Sequence, residues 1–230
     1  MSQTFEDSRL LSQSPRPVPQ SMWRVAGWLA LVHVVLLFAG LALQNGARLD
    51  EGRAGIERAY VDGNMARTMA GGLIELFGFL LMLPVLVFLA RVIGRRTEVA
   101  RWATQTALLA GLAYLVLVFA PGLAAGATAM HAAQNGVDVE TAWVMNNLRV
   151  LTYIVSFLFL GAHSIGLGVA ALADRIHPRW IGWGGIGTGI ALFVSAPLAA
   201  WNLHDFGTLV WLVWWIGLGV LMLRHRAVAD

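Results

Sequence analysis

Three ionisable side chains fall well inside apolar stretches of this chain: His33, Glu75 and His163. Such groups are costly in hydrocarbon and, where kept, face a bundle interior or a wet cavity. Glu75 follows Thr68 by seven residues, which sets it roughly 10 Å below one end of its segment at 1.5 Å per residue. His33 lies nine residues from Arg24 and His163 eleven before Asp174, roughly 13 and 16 Å from the opposite end. The two imidazoles are therefore expected at similar depth. Arg149, Tyr153, Ser156 and His163 share one stripe, because spacings of 3, 4 and 7 return to the same helical face. A polar stripe on an apolar helix is expected to point inward. The chemistry this pattern suggests is an intramembrane cavity opening outward, with Glu75 and the stripe on its wall and His204 and Asp205 at its mouth. Unpaired, Glu75 is expected to carry its proton and to be available as a general acid. Paired with Arg149 it is an ionised structural link, and His163 then simply bonds a backbone carbonyl. Arginines near helix ends reach toward water, so the unpaired state is the expectation.

Other chemistries are thinner. Two histidines at one depth raise a bis-histidine haem b through His33 and His163, which needs facing helices and room for the macrocycle. No cofactor is otherwise expected. His131, His204 and Asp205 share no metal-ligand spacing, so no metal site is expected, and His204-Asp205 reads more readily as a helix cap. Trp211, Trp214 and Trp215 lie inside one apolar segment and offer aromatic faces that stabilise cations, or lipid-facing and interfacial bulk.

The elements that must position these groups follow from composition. The 230 residues are 58% hydrophobic and 13% charged, with a mean hydropathy of +0.67, whereas a soluble domain carries roughly a quarter charged residues. There is no cysteine and all 16 basic residues are arginine, which excludes disulfides, thiolate chemistry, Schiff bases and a P-loop lysine. Six apolar runs, at about 23–43, 69–92, 102–121, 148–172, 181–200 and 206–223, are near or above the ~20 residues that cross ~30 Å of hydrocarbon. They lack the alternation of barrel strands. The expected fold is all-α, a polytopic membrane bundle of six transmembrane helices: a flexible cytoplasmic tail over 1–22, the membrane domain over 23–224 and a cytoplasmic end over 225–230. Eleven arginines lie on the side of the termini against five on the other, so the positive-inside rule places both termini in the cytoplasm of a bacterial plasma membrane. The stretch LDEGRAGIERAYVDGN after the first run is amphipathic and is expected on the outer membrane surface. No internal repeat of the transporter kind is visible.

Small residues mark the packing faces. Ala26, Ala30, His33, Leu37 and Gly40 form a stripe on the first helix, Gly71, Glu75 and Gly78 one on the second, and Gly185-x-x-x-Gly189 a small-xxx-small pair on the fifth.

RVAGWLALVHVV, VFLARVIGRR and above all FLFLGAHSIGLGVAALADRIHPRWIGWGG, with a Gly-x-His-x-x-x-Leu-Gly helix end and a Pro-Arg-Trp-Ile-Gly opening, carry a resemblance over about 23–222. The chain resembles an uncharacterised bacterial family of small six-helix membrane proteins, one of the domain-of-unknown-function families. The resemblance implies architecture and no activity. In outline the chain is also similar to integral-membrane terpene cyclases, which place a glutamate in an early helix and an aspartate near the last. That likeness rests on Glu75 and Asp205 and implies acid-initiated chemistry on an isoprenoid.

The leading expectation is a membrane protein that binds a lipid-like or small apolar ligand or supports a membrane complex, in contact with the bilayer and with helix partners or a second copy. Its ligand residues would be Tyr153, Ser156, His163, His33, Arg149, Trp211, Trp214 and Trp215. The alternatives are an enzyme on an isoprenoid or lipid, with Glu75 and Asp205 catalytic, and a small-molecule transporter.

Overall fold

The computed structural model describes residues 18–44, 46–175, 178–201, 203 and 205–225. Most of the expected tail, nearly all of the 225–230 end, and His204 lie outside these residues. Six long helices carry the fold: α1 Gln20–Leu43, α2 Met65–Val92, α3 Glu98–Gln134, α4 Val139–Asp174, α5 Arg179–Ser195 and α6 Asp205–Arg224. Consecutive helices pack side by side, and α1 packs on α6, so the six close into a ring. The protein is an all-α membrane helix bundle.

Among the described residues, five helices are long and apolar enough to cross a membrane: α1, α2, the Glu98–Phe119 part of α3, α4 and α6. The fifth apolar run differs from expectation. Its helix stops after 17 residues, about 25 Å, and passes into the 3-10 turn Pro197–Trp201. Pro197 has no N–H to continue an α-helical ladder. The third and fourth helices run far beyond their apolar cores, to Gln134 and back to Val139. Hydropathy registers only the apolar part of a helix; the added turns of α3 are alanine-rich and good helix formers, and those of α4 start from the Asp138 cap.

Helix starts are set by local side chains. Asn64, Thr97 and Asp138 each accept a bond from the backbone N–H three residues on, at 2.9, 3.1 and 2.8 Å. Asp138 also accepts from the Thr141 hydroxyl at 3.0 Å. These bonds from Thr141 hold its carboxyl below the usual aspartate value.

At the arginine-rich end, the α2–α3 turn is built on the last residue of α4. Asp174, 3% exposed, accepts from Gly94 and Arg95 N–H on Oδ2 at 2.8 and 2.7 Å, and from Arg96 and Thr97 N–H on Oδ1 at 3.0 and 3.3 Å. Gly94 adopts φ +84°, the left-handed geometry that turns successive N–H groups toward one anion. The same end holds α1 against α6, where Trp23 stacks on His225 with ring centroids 3.9 Å apart.

The expected small-residue stripes are the packing seams. A Cβ on Gly40 would come within 2.7 Å of the Gly71 carbonyl, and one on Gly71 within 2.6 Å of that of Gly40. Between α4 and α5, a Cβ on Gly168 would come within 2.6 Å of the Gly182 carbonyl and one on Gly189 within 2.6 Å of that of Gly161, so the two backbones approach closely at these glycines. The opposite faces carry Trp28, Val35, Leu109, Val116 and Val213, all exposed, as a lipid-facing surface requires.

The amphipathic stretch corrects a second expectation. Residues 49–61 fold into short 3-10, α and π turns that pack on protein. Ile56 and Tyr60 are buried against Ala129, Met130 and Ala142, the membrane-distal extensions of α3 and α4. Those extensions give the apolar face a partner that hydropathy did not reveal. Arg53 and Arg58 pair with Glu57, Glu140 and Glu51 on the outer face.

Candidate functional site

A cavity of about 320 Å³ lies inside the ring, toward the end that carries the 44–64 connection. Gln44 stands at the end of α1, Gly72, Glu75, Leu76 and Phe79 come from α2, Leu117 and Phe119 from α3, Arg149 and Tyr153 from α4, and Asp205 opens α6. Its walls are mostly apolar, with two carboxylates, one guanidinium and one phenol converging on it. A second cavity of about 170 Å³ adjoins it and shares Gln44, Gly72 and Arg149.

Glu75 does not pair with Arg149. Gln44 donates through Nε2 to Glu75 Oε2 at 2.6 Å. Arg149 turns inward, contrary to the expectation that it reaches for the interface, and is held by Asn146. Its Nε and Nη2 donate to Asn146 Oδ1 at 3.4 and 3.1 Å. The stem passes Gly126, where a Cβ would sit 2.9 Å from Arg149 Cδ, so the absence of a side chain there leaves the arginine its channel. Asn146 is fully buried and has further duties. It accepts from the Tyr60 hydroxyl at 2.6 Å and donates to the Ala47 carbonyl at 3.3 Å. Gln134 adds bonds from Nε2 to the Tyr60 and Gly63 carbonyls at 3.0 and 2.9 Å. One amide thus fastens the 47–61 segment over the bundle and aims the cation of the cavity.

Below the cavity the polar residues are of another kind. Phe79 forms its floor, with ring centroids 5.6 Å from Phe119, 5.9 Å from Tyr114 and 5.6 Å from His33. Beneath it His33 Nδ1 meets the Gly78 carbonyl and His163 Nδ1 the Ala107 carbonyl, both at 2.8 Å. His163 has this approach because Gly111 lacks a Cβ, which would lie 3.0 Å from its Nδ1. Both imidazoles pack on Trp215, with centroids 6.1 and 6.5 Å away. Trp211 stacks on Trp215 at 5.2 Å. With each Nδ1 spent on a carbonyl, Nε2 of both rings is buried and unpartnered.

The sequence-derived residues therefore divide. Glu75, Arg149, Tyr153 and Asp205 line one cavity. Ser156 is buried and donates to the Tyr153 carbonyl at 2.6 Å. His33, His163, Trp211 and Trp215 form the deeper core, and Trp214 donates to the Ile181 carbonyl at 3.2 Å. None of the three tryptophans is on the wall of the larger cavity. Asn146 and Gln44 were missed. Asn146 stands three residues before Arg149 and continues the same polar stripe, but it precedes the start assigned to the fourth apolar run. Gln44 follows the first run by one residue. Following polar stripes past the ends of the apolar runs finds Asn146.

Neither curated proteins nor solved structures give a match to this chain. A family model does match, over residues 25–201, and its description is a domain of unknown function. That match covers well over half the chain and takes in α1 to α5 with four of the five cavity-lining elements, so the chain belongs to the domain-of-unknown-function family DUF4386.

Proposed function

We propose that this protein is a multi-pass protein of the plasma membrane, with both termini cytoplasmic, whose cavity binds a lipid-like amphiphile. One observation carries the reading: Glu75, Arg149, Tyr153 and Asp205, far apart in sequence, line a single apolar-walled cavity inside a membrane bundle. Ligand sites are mostly apolar concavities with a few convergent polar groups. Occupancy is tested by native mass spectrometry of the purified protein with and without added phospholipid. Leu76→Trp, which fills the cavity, is expected to lower lipid binding roughly tenfold or more with its melting temperature kept. Unchanged binding would refute the site.

Topology has its own test, made simple by the absence of cysteine. Ala54→Cys on the exposed 49–61 segment is expected to react with an impermeant maleimide on intact cells, and Arg96→Cys only after permeabilisation. The reverse pattern would invert the protein in the membrane.

A second reading is an acid-initiated enzyme on an isoprenoid. It is favoured by Glu75 and Asp205 lining the same cavity, the pair on which the terpene-cyclase likeness rests. Under it Glu75→Gln abolishes turnover while ligand still binds.

A further inference from the structure

Arg149, Glu75 and Asp205 face the larger cavity and differ in what each still lacks. A guanidinium does not give up its proton in a protein, so Arg149 stays a cation on the wall of both cavities. Among the described residues no carboxylate pairs with it. Its Nε and Nη2 donate to the neutral Asn146 Oδ1, and further N–H donors of the five remain. Glycines at 46 and 126 leave it room, since a Cβ there would lie 3.3 Å from Nη2 and 2.9 Å from Cδ. Glu75 has a neutral partner in Gln44, and a carboxyl among apolar walls without an ion pair keeps its proton. Gln44 donates to Oε2, which makes Oε2 the carbonyl oxygen and Oε1 an O–H donor. Asp205 is exposed in the first turn of α6, where the helix dipole offsets a carboxylate, and it already has an interaction within the chain. Asp205 therefore asks nothing of a ligand.

The unmet need is a counter-ion for Arg149. An uncharged ligand would leave that cation without an anion in a low-dielectric site. The ammonium of a zwitterion would meet a neutral Glu75 and an Asp205 already engaged. A phosphomonoester carries roughly −1.5 to −2 at neutral pH and would bring its excess charge toward Asp205. One negative charge balances the cavity, and the planar guanidinium matches phosphate oxygens in pairs.

We propose that the larger cavity is the headgroup site of a monoanionic phospholipid, its phosphodiester on Arg149 and an uncharged, hydroxyl-bearing headgroup on Gln44 and the Glu75 O–H, with the tails leaving between α2 and α3. This rests on the reading that the cavity takes a lipid-like ligand and names the class. Hydroxyls both donate and accept, so they suit an amide and a carboxylic acid side by side. The tail route follows from size and position. About 320 Å³ is the small end of ligand cavities, which run from roughly 300 to 1,000 Å³, so it takes a headgroup and not two acyl chains. The adjoining cavity shares Gln44 and Arg149 with it and is rimmed by Met69 and Leu73 of α2, which are 44% and 50% exposed on the lipid-facing side.

The test is native mass spectrometry of the full-length, delipidated protein titrated with five probes: phosphatidylglycerol, phosphatidylethanolamine, phosphatidylcholine, diacylglycerol and soluble glycerophosphoglycerol. Phosphatidylglycerol is expected to bind roughly tenfold more tightly than each of the other lipids, and more tightly than the soluble headgroup. Arg149→Gln is expected to erase that advantage, and Arg96→Gln, at the opposite end of the bundle, to keep it. Glu75→Gln, which replaces a neutral acid by a neutral amide, is expected to change phosphatidylglycerol affinity by no more than about twofold. Equal binding of all four lipids, or a preference for a zwitterionic one, still sensitive to Leu76→Trp, would overturn the headgroup assignment and leave the lipid cavity standing. A phosphatidylglycerol preference that survives Arg149→Gln would overturn it too, as would a tenfold gain in Glu75→Gln, the mark of an ionised acid opposing the ligand. Glycerophosphoglycerol binding as tightly as the lipid would overturn the tail route. Absence of any lipid binding would overturn the lipid cavity itself, and the headgroup assignment with it. If Arg149→Gln fails to fold, Arg149→Lys, which keeps the charge without the paired donors, is expected to retain only part of the preference, and full retention would overturn the paired contact.

Discussion

Replacing Asp174 by alanine is expected to destabilise the protein by on the order of 4 kcal/mol, through a turn far from the cavity. Four backbone N–H groups, of Gly94, Arg95, Arg96 and Thr97, end on its carboxylate. Hydrogen bonds to a charged group contribute roughly 1.5–3 kcal/mol each, and a buried donor left without a partner costs about 1–3 kcal/mol. Partial rescue by water at the membrane surface keeps the sum below simple addition. For a chain of this size the loss corresponds to a fall of roughly 10 °C in melting temperature, readable by fluorescence in detergent. Asp174→Asn is expected to fall in between, because one of its two acceptors becomes an NH₂ facing N–H groups. A shift under about 2 °C for the alanine variant would show that the turn does not depend on this carboxylate.

Gly168→Val is expected to cost about 3 kcal/mol, at the upper end of what overpacking usually does. A Cβ there would lie 2.6 Å from the Gly182 carbonyl and 2.9 Å from the Ile186 N–H nitrogen. Both are backbone atoms, so relief requires α5 to move off α4 as a whole. Gly187→Val is the matched control on α5: a Cβ there meets nothing within 4 Å, and its melting temperature should change by no more than about 2 °C. Equal effects from the two would mean that helix propensity, and not the α4–α5 contact, sets the response.

Much of this architecture was legible in the sequence because the bilayer imposes it. Apolar runs of membrane length marked the helices, and glycine and alanine at helical spacing marked the α1–α2 and α4–α5 seams, since in lipid it is small residues that let backbones approach. The polar stripe on α4 brought Arg149 and Tyr153 to the wall where Glu75 and Asp205 stand. What the sequence withheld depends on elements that hydropathy does not register. The length of α3 and α4 beyond the apolar core gives 49–61 a protein surface to pack on, and that surface places Asn146 where it can hold Arg149. The partner of Glu75 is a neutral amide one residue past the end of an apolar run, so a search for opposite charges passed over Gln44. The three tryptophans of α6 invited a cation-stabilising wall, yet Trp211 and Trp215 sit below Phe79 among the histidines and Trp214 packs on α5, where it bonds the Ile181 carbonyl.

The central claim, a lipid-accessible cavity between α2, α3 and α4, is tested most directly by photocrosslinking at two adjacent positions of α3. Leu117 lines the cavity, whereas Val116 is 64% exposed on the outer face of the bundle. A diazirine amino acid at either position in native membranes is expected to give lipid adducts, identified by mass. Combining each with Leu76→Trp is expected to remove the adduct at 117 and to leave that at 116 intact. Lipid adducts confined to 116 in the otherwise wild-type protein, or an adduct at 117 indifferent to Leu76→Trp, would contradict the account.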